Sequence, residues 1–115
     1  MNMKMIREID EPEFEREVLL SAQPVLVNFS TGRSQASRKF GPVLEAFAVE
    51  HRGRVKVLEV NVEANPGLGL WYGIQLIPTL LWFLNGDVRG KIVGTGSKKA
   101  IFAKLNSFFS QNIRK

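Results

Sequence analysis

The stretch YGIQLIPTLLWFLNG, residues 72–86, decides how this chain folds. Its second half, Thr79-Leu80-Leu81-Trp82-Phe83-Leu84, is an unbroken apolar run of strand length, as a strand covered on both faces requires. Asn85-Gly86 follows at once, and this dipeptide suits a two-residue type I′ hairpin, because both central residues need positive φ. Val88 through Val93 then reads as the returning strand, ended by Gly94. At the front, Ile77-Pro78 opens the first strand; the residues alone leave its peptide bond open, trans being the commoner state for X-Pro.

Working outward, Leu68 to Tyr72 predicts a short helix after an Asn65-Pro66-Gly67 turn, and Val55–Val62 predicts a further strand. Before that strand, Phe40, Val43, Leu44, Phe47 and Ala48 recur at helical spacing, with Pro42 inside the helix and Gly53 past its end as a left-handed cap. Val25-Leu26-Val27-Asn28-Phe29 has the composition of a central strand. Met5–Ile9 suits a short edge strand, and Asp10 suits the cap of a helix that begins Glu11-Pro12-Glu13 and runs to about Ser21. At the other end a helix from about Ser97 buries Ile101, Leu105, Phe108 and Phe109. The predicted order is β-α-β-α-β-α-β-β-α. It describes an α/β domain over residues 1–115, with one mixed sheet of about five strands and about four helices on its two faces.

Composition narrows the chemistry. The 115 residues include no cysteine, which removes disulfides, zinc-thiolate and iron-sulfur sites, and thiol catalysis. One histidine, His51, supplies neither a metal site nor a Ser-His-Asp triad. No metal or cofactor is expected. No apolar run approaches the roughly 20 residues of a membrane span. The opening MNMKMIREIDEPEFE lacks the apolar stretch of a secretory leader, so a cytoplasmic protein is expected. The net charge of +5 permits attraction to acidic partners. Nucleic acid is disfavoured, because one tyrosine and two tryptophans make no aromatic-basic repeat.

The strings PVLVNF (24–29), PVLEAFA (42–48), VNVEANPGL (60–68), YGIQLIPTLLWFLNG (72–86) and IVGTGSK (92–98) stand in the order and at the spacings of the thioredoxin family, which this chain resembles over almost its whole length. The resemblance implies a thioredoxin fold, a cis peptide at Ile77-Pro78 facing the loop at Ser34, and a peptide-holding rim at Leu76, Ile77, Val93, Gly94 and Thr95. In that family the residue before the cis proline offers its backbone to an extended peptide, a form of strand addition. Leu76 replaces a residue that is often small there, so it is expected to enlarge the apolar rim.

The departures from the family bear on function. Where thioredoxins carry Trp-Cys-Gly-Pro-Cys, this chain has Arg33-Ser34-Gln35-Ala36-Ser37. Dithiol exchange needs one thiolate to attack and a second thiol to resolve the mixed disulfide, and a hydroxyl can do neither. The family's proton-relaying aspartate is Asn28 here, its neighbouring lysine is Glu59, and the tryptophan after the strand is Ser30. Arg33-Ser34-Gln35 and the serine at 37 are also similar to the R-S-Q-x-C string of the chaperedoxins, bacterial holdases whose thioredoxin domain lacks the first cysteine.

Ser34 and Ser37 lack a base within reach, so helix capping is their expected work. Arg33, Arg38 and Lys39 read either as a solvated face or as an attraction for an acidic partner. Trp71 and Trp82 are expected to pack. The leading reading is a redox-inactive, chaperone-like module that grips an extended peptide or protein segment with Arg33 to Ser37, Leu76-Ile77-Pro78 and Val93-Gly94-Thr95. One alternative is a thiol-disulfide oxidoreductase whose cysteines at 34 and 37 were replaced by serine. Another is an assembly subunit with no ligand of its own.

Overall fold

The computed structural model describes residues 5–31, 35–94 and 96–113; the side chains of 35–39, 109 and 111–113 lie outside that description. The order of elements is the predicted one. β1 (Arg7–Glu8) leads to α1 (Glu11–Phe14, continued by a wider turn over Glu15–Leu19), β2 (Val25–Ser30), α2 (Gln35–Glu50), β3 (Lys56–Asn61) and α3 (Pro66–Trp71). The chain ends in β4 (Thr79–Leu84), β5 (Asp87–Val93) and α4 (Lys98–Ile113). The five strands form one sheet in the order β1-β3-β2-β4-β5, with β1 and β2 parallel to β3 and the β4–β5 hairpin antiparallel to β2.

Both faces of the sheet are covered, so β2 is buried at every position, as its apolar run requires. Leu26, Val57, Leu80, Trp82 and Ile92 pack under Phe40, Leu44 and Phe47 of α2 and Ile101 and Leu105 of α4. Val25, Val27, Phe29, Leu58, Val60, Leu81 and Phe83 face Phe14, Val18 and Leu68 on the other side. There Phe14, Phe29, Tyr72 and Phe83 meet ring to ring, with Tyr72 and Phe83 edge to face at 5.6 Å. Burial in that cluster raises the pKa of the Tyr72 phenol, which therefore stays protonated.

Several local expectations shift by a turn. The first helix does not continue regularly to Ser21, because the Leu20 N–H closes on the Glu15 carbonyl at 2.9 Å and ends it in a wide turn. Glu13 reaches back to the Asp10 N–H at 3.0 Å, as an N-terminal cap should, while an Asp10 carboxylate oxygen is taken by Asn65 Nδ2 at 3.0 Å. Asn65 also accepts the Glu11 N–H at 2.9 Å, and α3 starts directly after it at Pro66. One buried amide thus ties the starts of α1 and α3 together. Pro42 lies inside α2 and Gly53 takes φ +85 after it, while the Ser97 Oγ accepts the Ala100 N–H at 3.1 Å to start α4.

On the solvent side of α1, Glu17 meets Arg7 at 3.0 Å, Arg16 at 3.3 Å and Lys56 at 3.3 Å. The Lys56 hydrogen bond holds the Glu17 carboxyl below its ordinary pKa, with Arg16 and Arg7 adding to the effect.

The hairpin turn has Asn85 at φ 54 and Gly86 at φ 83, both left-handed as a type I′ turn demands. A Cβ on Gly86 would lie 2.8 Å from the Leu19 carbonyl oxygen. Gly86→Ala therefore combines a strained φ with a backbone clash, and is expected to cost about 2 kcal/mol in urea unfolding. A loss below about 0.5 kcal/mol would show that the turn relaxes freely.

Candidate functional site

The site is built where β4 begins beside the end of β5. Ile77-Pro78 is a cis peptide, as the resemblance implies. Gly94 donates its N–H to the Pro78 carbonyl at 2.8 Å, Thr79 pairs with Val93, and Thr79 Oγ1 donates to the Leu76 carbonyl at 2.6 Å. These bonds bring Leu76, Ile77, Pro78, Val93 and Gly94 together. Ile77 and Val93 are half-buried, whereas Leu76 is 56% exposed. Among the described residues, neither the N–H nor the C=O of Ile77 has a hydrogen-bond partner. An unpaired backbone pair beside apolar side chains is suited to receiving an extended chain.

Gly94, expected at the peptide-holding rim, has a packing role of its own. It is buried, and a Cβ there would sit 2.6 Å from Pro78 Cγ and 3.1 Å from Phe40 Cδ2. It is the seam at which β5, the proline and α2 close on one another, and only the missing side chain lets them meet.

Asn28 and Glu59 are register partners on β2 and β3, so their side chains share the α2 face of the sheet. Asn28 is 5% exposed, and its Oδ1 finds no partner among the described residues. Ser30, expected just beyond the strand, is instead its last residue; it is fully buried and donates Oγ to Glu59 Oε2 at 2.8 Å. The exit toward the loop is then pinned: Val62 N–H bonds the Ser30 carbonyl at 2.9 Å and Asn61 Nδ2 bonds the Thr31 carbonyl at 3.4 Å. The resemblance pairs Asn28 with Glu59, and the structure sets them side by side. It missed the Ser30 contact, which no local pattern announces.

Arg33, Ser34 and Thr95 lie outside the described residues. The backbone of Gln35, Ala36 and Ser37 forms the first turn of α2, and their side chains, with those of Arg38 and Lys39, are outside as well. His51 follows the far end of that helix and lies tilted against Phe47, ring centres 4.4 Å apart, so it does not reach the first turn. Among the described residues no three His, Asp or Glu side chains gather as a metal site would require, and no helix is long and apolar enough to cross a membrane.

Trp82 is fully buried, as expected, but Trp71 is not packed: it is 80% exposed, and Leu70 beside it is 84% exposed. α3 is so short that Leu68 and Gly69 exhaust its buried face. Leu76, two residues before the cis proline, is exposed as well, and no residue between Glu63 and Asp87 carries a charge.

The thioredoxin family model matches residues 5–107. Thioredoxins of Rickettsia felis and Porphyra purpurea are 32% and 31% identical to this chain, over 89% and 91% of it and 97% and 98% of their own lengths. The thioredoxin of Streptomyces clavuligerus is 35% identical over 84% of this chain and 90% of its own.

Proposed function

The chain belongs to the thioredoxin family and contains no cysteine, and from that premise we propose that it binds an extended segment of a partner protein without covalent chemistry, as a chaperone-like module. The observation that carries this reading is the backbone of Ile77, unpaired among the described residues, at a cis-proline lip flanked by Leu76 and Val93. An incoming strand would pair with Ile77 through its own N–H and C=O and lay alternate side chains on the apolar flanks. Exchange of disulfides has no reagent in this chain, since every nucleophile and resolving group it needs is a thiol.

A fluorescein-labelled pool of random decapeptides tests the binding reading by anisotropy. The wild type is expected to bind, and Val93→Lys, at the half-buried end of β5, to weaken binding about tenfold, which is the loss of one apolar contact. Equal binding by the two proteins overturns it.

A chemical test addresses the oxidoreductase alternative. Ser34→Cys/Ser37→Cys is expected to fold yet to reduce insulin at a rate close to the dithiothreitol blank. The buried group at position 28 is an amide and cannot carry a proton, and general acid-base assistance is worth about 100-fold or more. Rapid turnover by that variant would favour an oxidoreductase whose cysteines were exchanged for serine.

A further inference from the structure

We propose that the part of the β3 edge that β1 leaves uncovered is a second binding site, which takes a phosphate monoester with a small apolar body. A cavity of about 540 Å³ opens there, at the end of the sheet where β2 and β3 begin, and it has the size of a small-molecule site. The cis-proline lip stands at the other end, since Thr79 pairs with Phe29 near the end of β2. The two places are separate, and this proposal does not rest on peptide binding.

A buried backbone donor faces this gap. The Lys56 N–H bonds the Pro24 carbonyl at 2.9 Å, on the β2 side of the strand. Successive N–H groups of a strand face opposite neighbours, so that of Val57 faces the β1 side. There β1 reaches β3 only at Leu58 and Glu59. Just before β1 the chain is drawn off toward α2, where the Met5 N–H donates to the Glu45 carboxylate. Among the described residues the Val57 N–H has no hydrogen-bond partner, although Val57 is only 3% exposed and lines the cavity. A buried N–H is rarely left so, and it calls for an acceptor atom in the gap.

Charge and chemistry say which acceptor fits. Arg7, Arg52 and Lys56 line the cavity against one carboxylate, Glu17, so its wall carries a surplus of two positive charges. Arg7 Nη2 and Lys56 Nζ meet at Glu17 Oε1, at 3.0 and 3.3 Å, which holds the two heads close together. The Arg52 side chain has no partner among the described residues. Beside it, Gln23 Nε2 fastens the Gly53 carbonyl at 3.1 Å. A phosphate monoester carries a charge of about −1.5 to −2 near neutral pH, which matches the surplus, and its oxygens accept from guanidinium and backbone N–H groups alike. Met5, Ala48 and Leu58 add an apolar wall for the rest of the ligand.

The test is a titration followed at the Val57 amide resonance by two-dimensional NMR. Phenyl phosphate is expected to move that resonance saturably and to bind about tenfold more tightly than inorganic phosphate, which lacks the apolar body. Benzyl alcohol, which lacks the charge, should leave it in place. Arg52→Gln changes an exposed side chain and is expected to weaken phenyl phosphate about tenfold. Arg89→Gln removes the same charge from β5, at the opposite edge of the sheet, and should alter the affinity less than about twofold. A Val57 resonance that stays still overturns the proposal. So does equal binding of inorganic phosphate, or of benzyl alcohol. Equal losses in the two variants overturn it as well, by showing attraction to net charge alone. The lip reading stands or falls separately, on Val93→Lys and the peptides.

Discussion

Asn28→Asp is expected to leave the protein almost as stable as wild type at pH 4 and to cost it about 3 kcal/mol at pH 8. The amide is nearly fully buried on β2, and its register partner across the sheet is Glu59, which already accepts the Ser30 hydroxyl at 2.8 Å. Protonated, the new carboxyl has nearly the shape of the amide it replaces. Ionised, it is a charge without water beside a like charge, and both effects push its folded-state pKa above the unfolded value of about 3.9. The folded protein then holds a proton that the unfolded chain has released. Stability therefore falls as pH rises from about 4 through the folded pKa, and no further beyond it.

Urea midpoints of the variant and wild type between pH 4 and pH 8 measure this directly. Adding Glu59→Gln to Asn28→Asp should return part of the loss at pH 8, because it removes the like charge and leaves only burial. A loss that is the same at both pH values would mean that shape, not ionisation, is what position 28 constrains. Asn28→Leu is informative in the other direction. The Oδ1, which has no partner among the described residues, disappears with it, so the cost of this change should be small despite the burial of the site.

The second large effect belongs to the seam. Gly94→Val is expected to destabilise the protein by about 3 kcal/mol, because its first carbon alone would lie 2.6 Å from Pro78 Cγ and 3.1 Å from the Phe40 ring. Neither neighbour is the loose end of a long side chain. The proline is fixed by its ring, Phe40 is buried in the α2 core, and the glycine cannot retreat while its N–H holds the Pro78 carbonyl at 2.8 Å. Phe40→Leu alone costs a core contact, yet combined with Gly94→Val it should cost less than the sum, as expected for two residues in contact. Additive losses in thermal or urea unfolding would show that the strain is relieved at the proline instead. Substitutions at Gly94 thus report on folding. The proposed binding lip is better tested at Val93 and Leu76, which solvent reaches.

Much of the architecture could be read locally because its causes are local. The Asn85-Gly86 turn, the glycine at 53, the apolar runs of β2 and β4 and the stripe on α2 each express a backbone or packing requirement within a few residues. The wide turn that closes the first helix before Ser21 is not legible in the sequence, because the stripe of Phe14 and Val18 continues through it and hydrophobic spacing does not distinguish the two. Of the positions singled out in the sequence, the structure sets Asn28 beside Glu59 on one face of the sheet and brings Leu76, Ile77, Pro78, Val93 and Gly94 together where β4 begins.

By itself, then, the sequence determined the order of the elements, the family and the absence of a thiol, since these depend on residue identity and short-range pattern. Only the tertiary structure decided which groups are paired and which are left over. It buried Ser30 against Glu59, made Asn65 the tie between two helix starts, turned Gly94 into a seam and left Trp71 in solvent. The physical reason is the same in each case. Burial and hydrogen bonding are set by neighbours from distant parts of the chain, and a residue's own type does not say which of them will arrive.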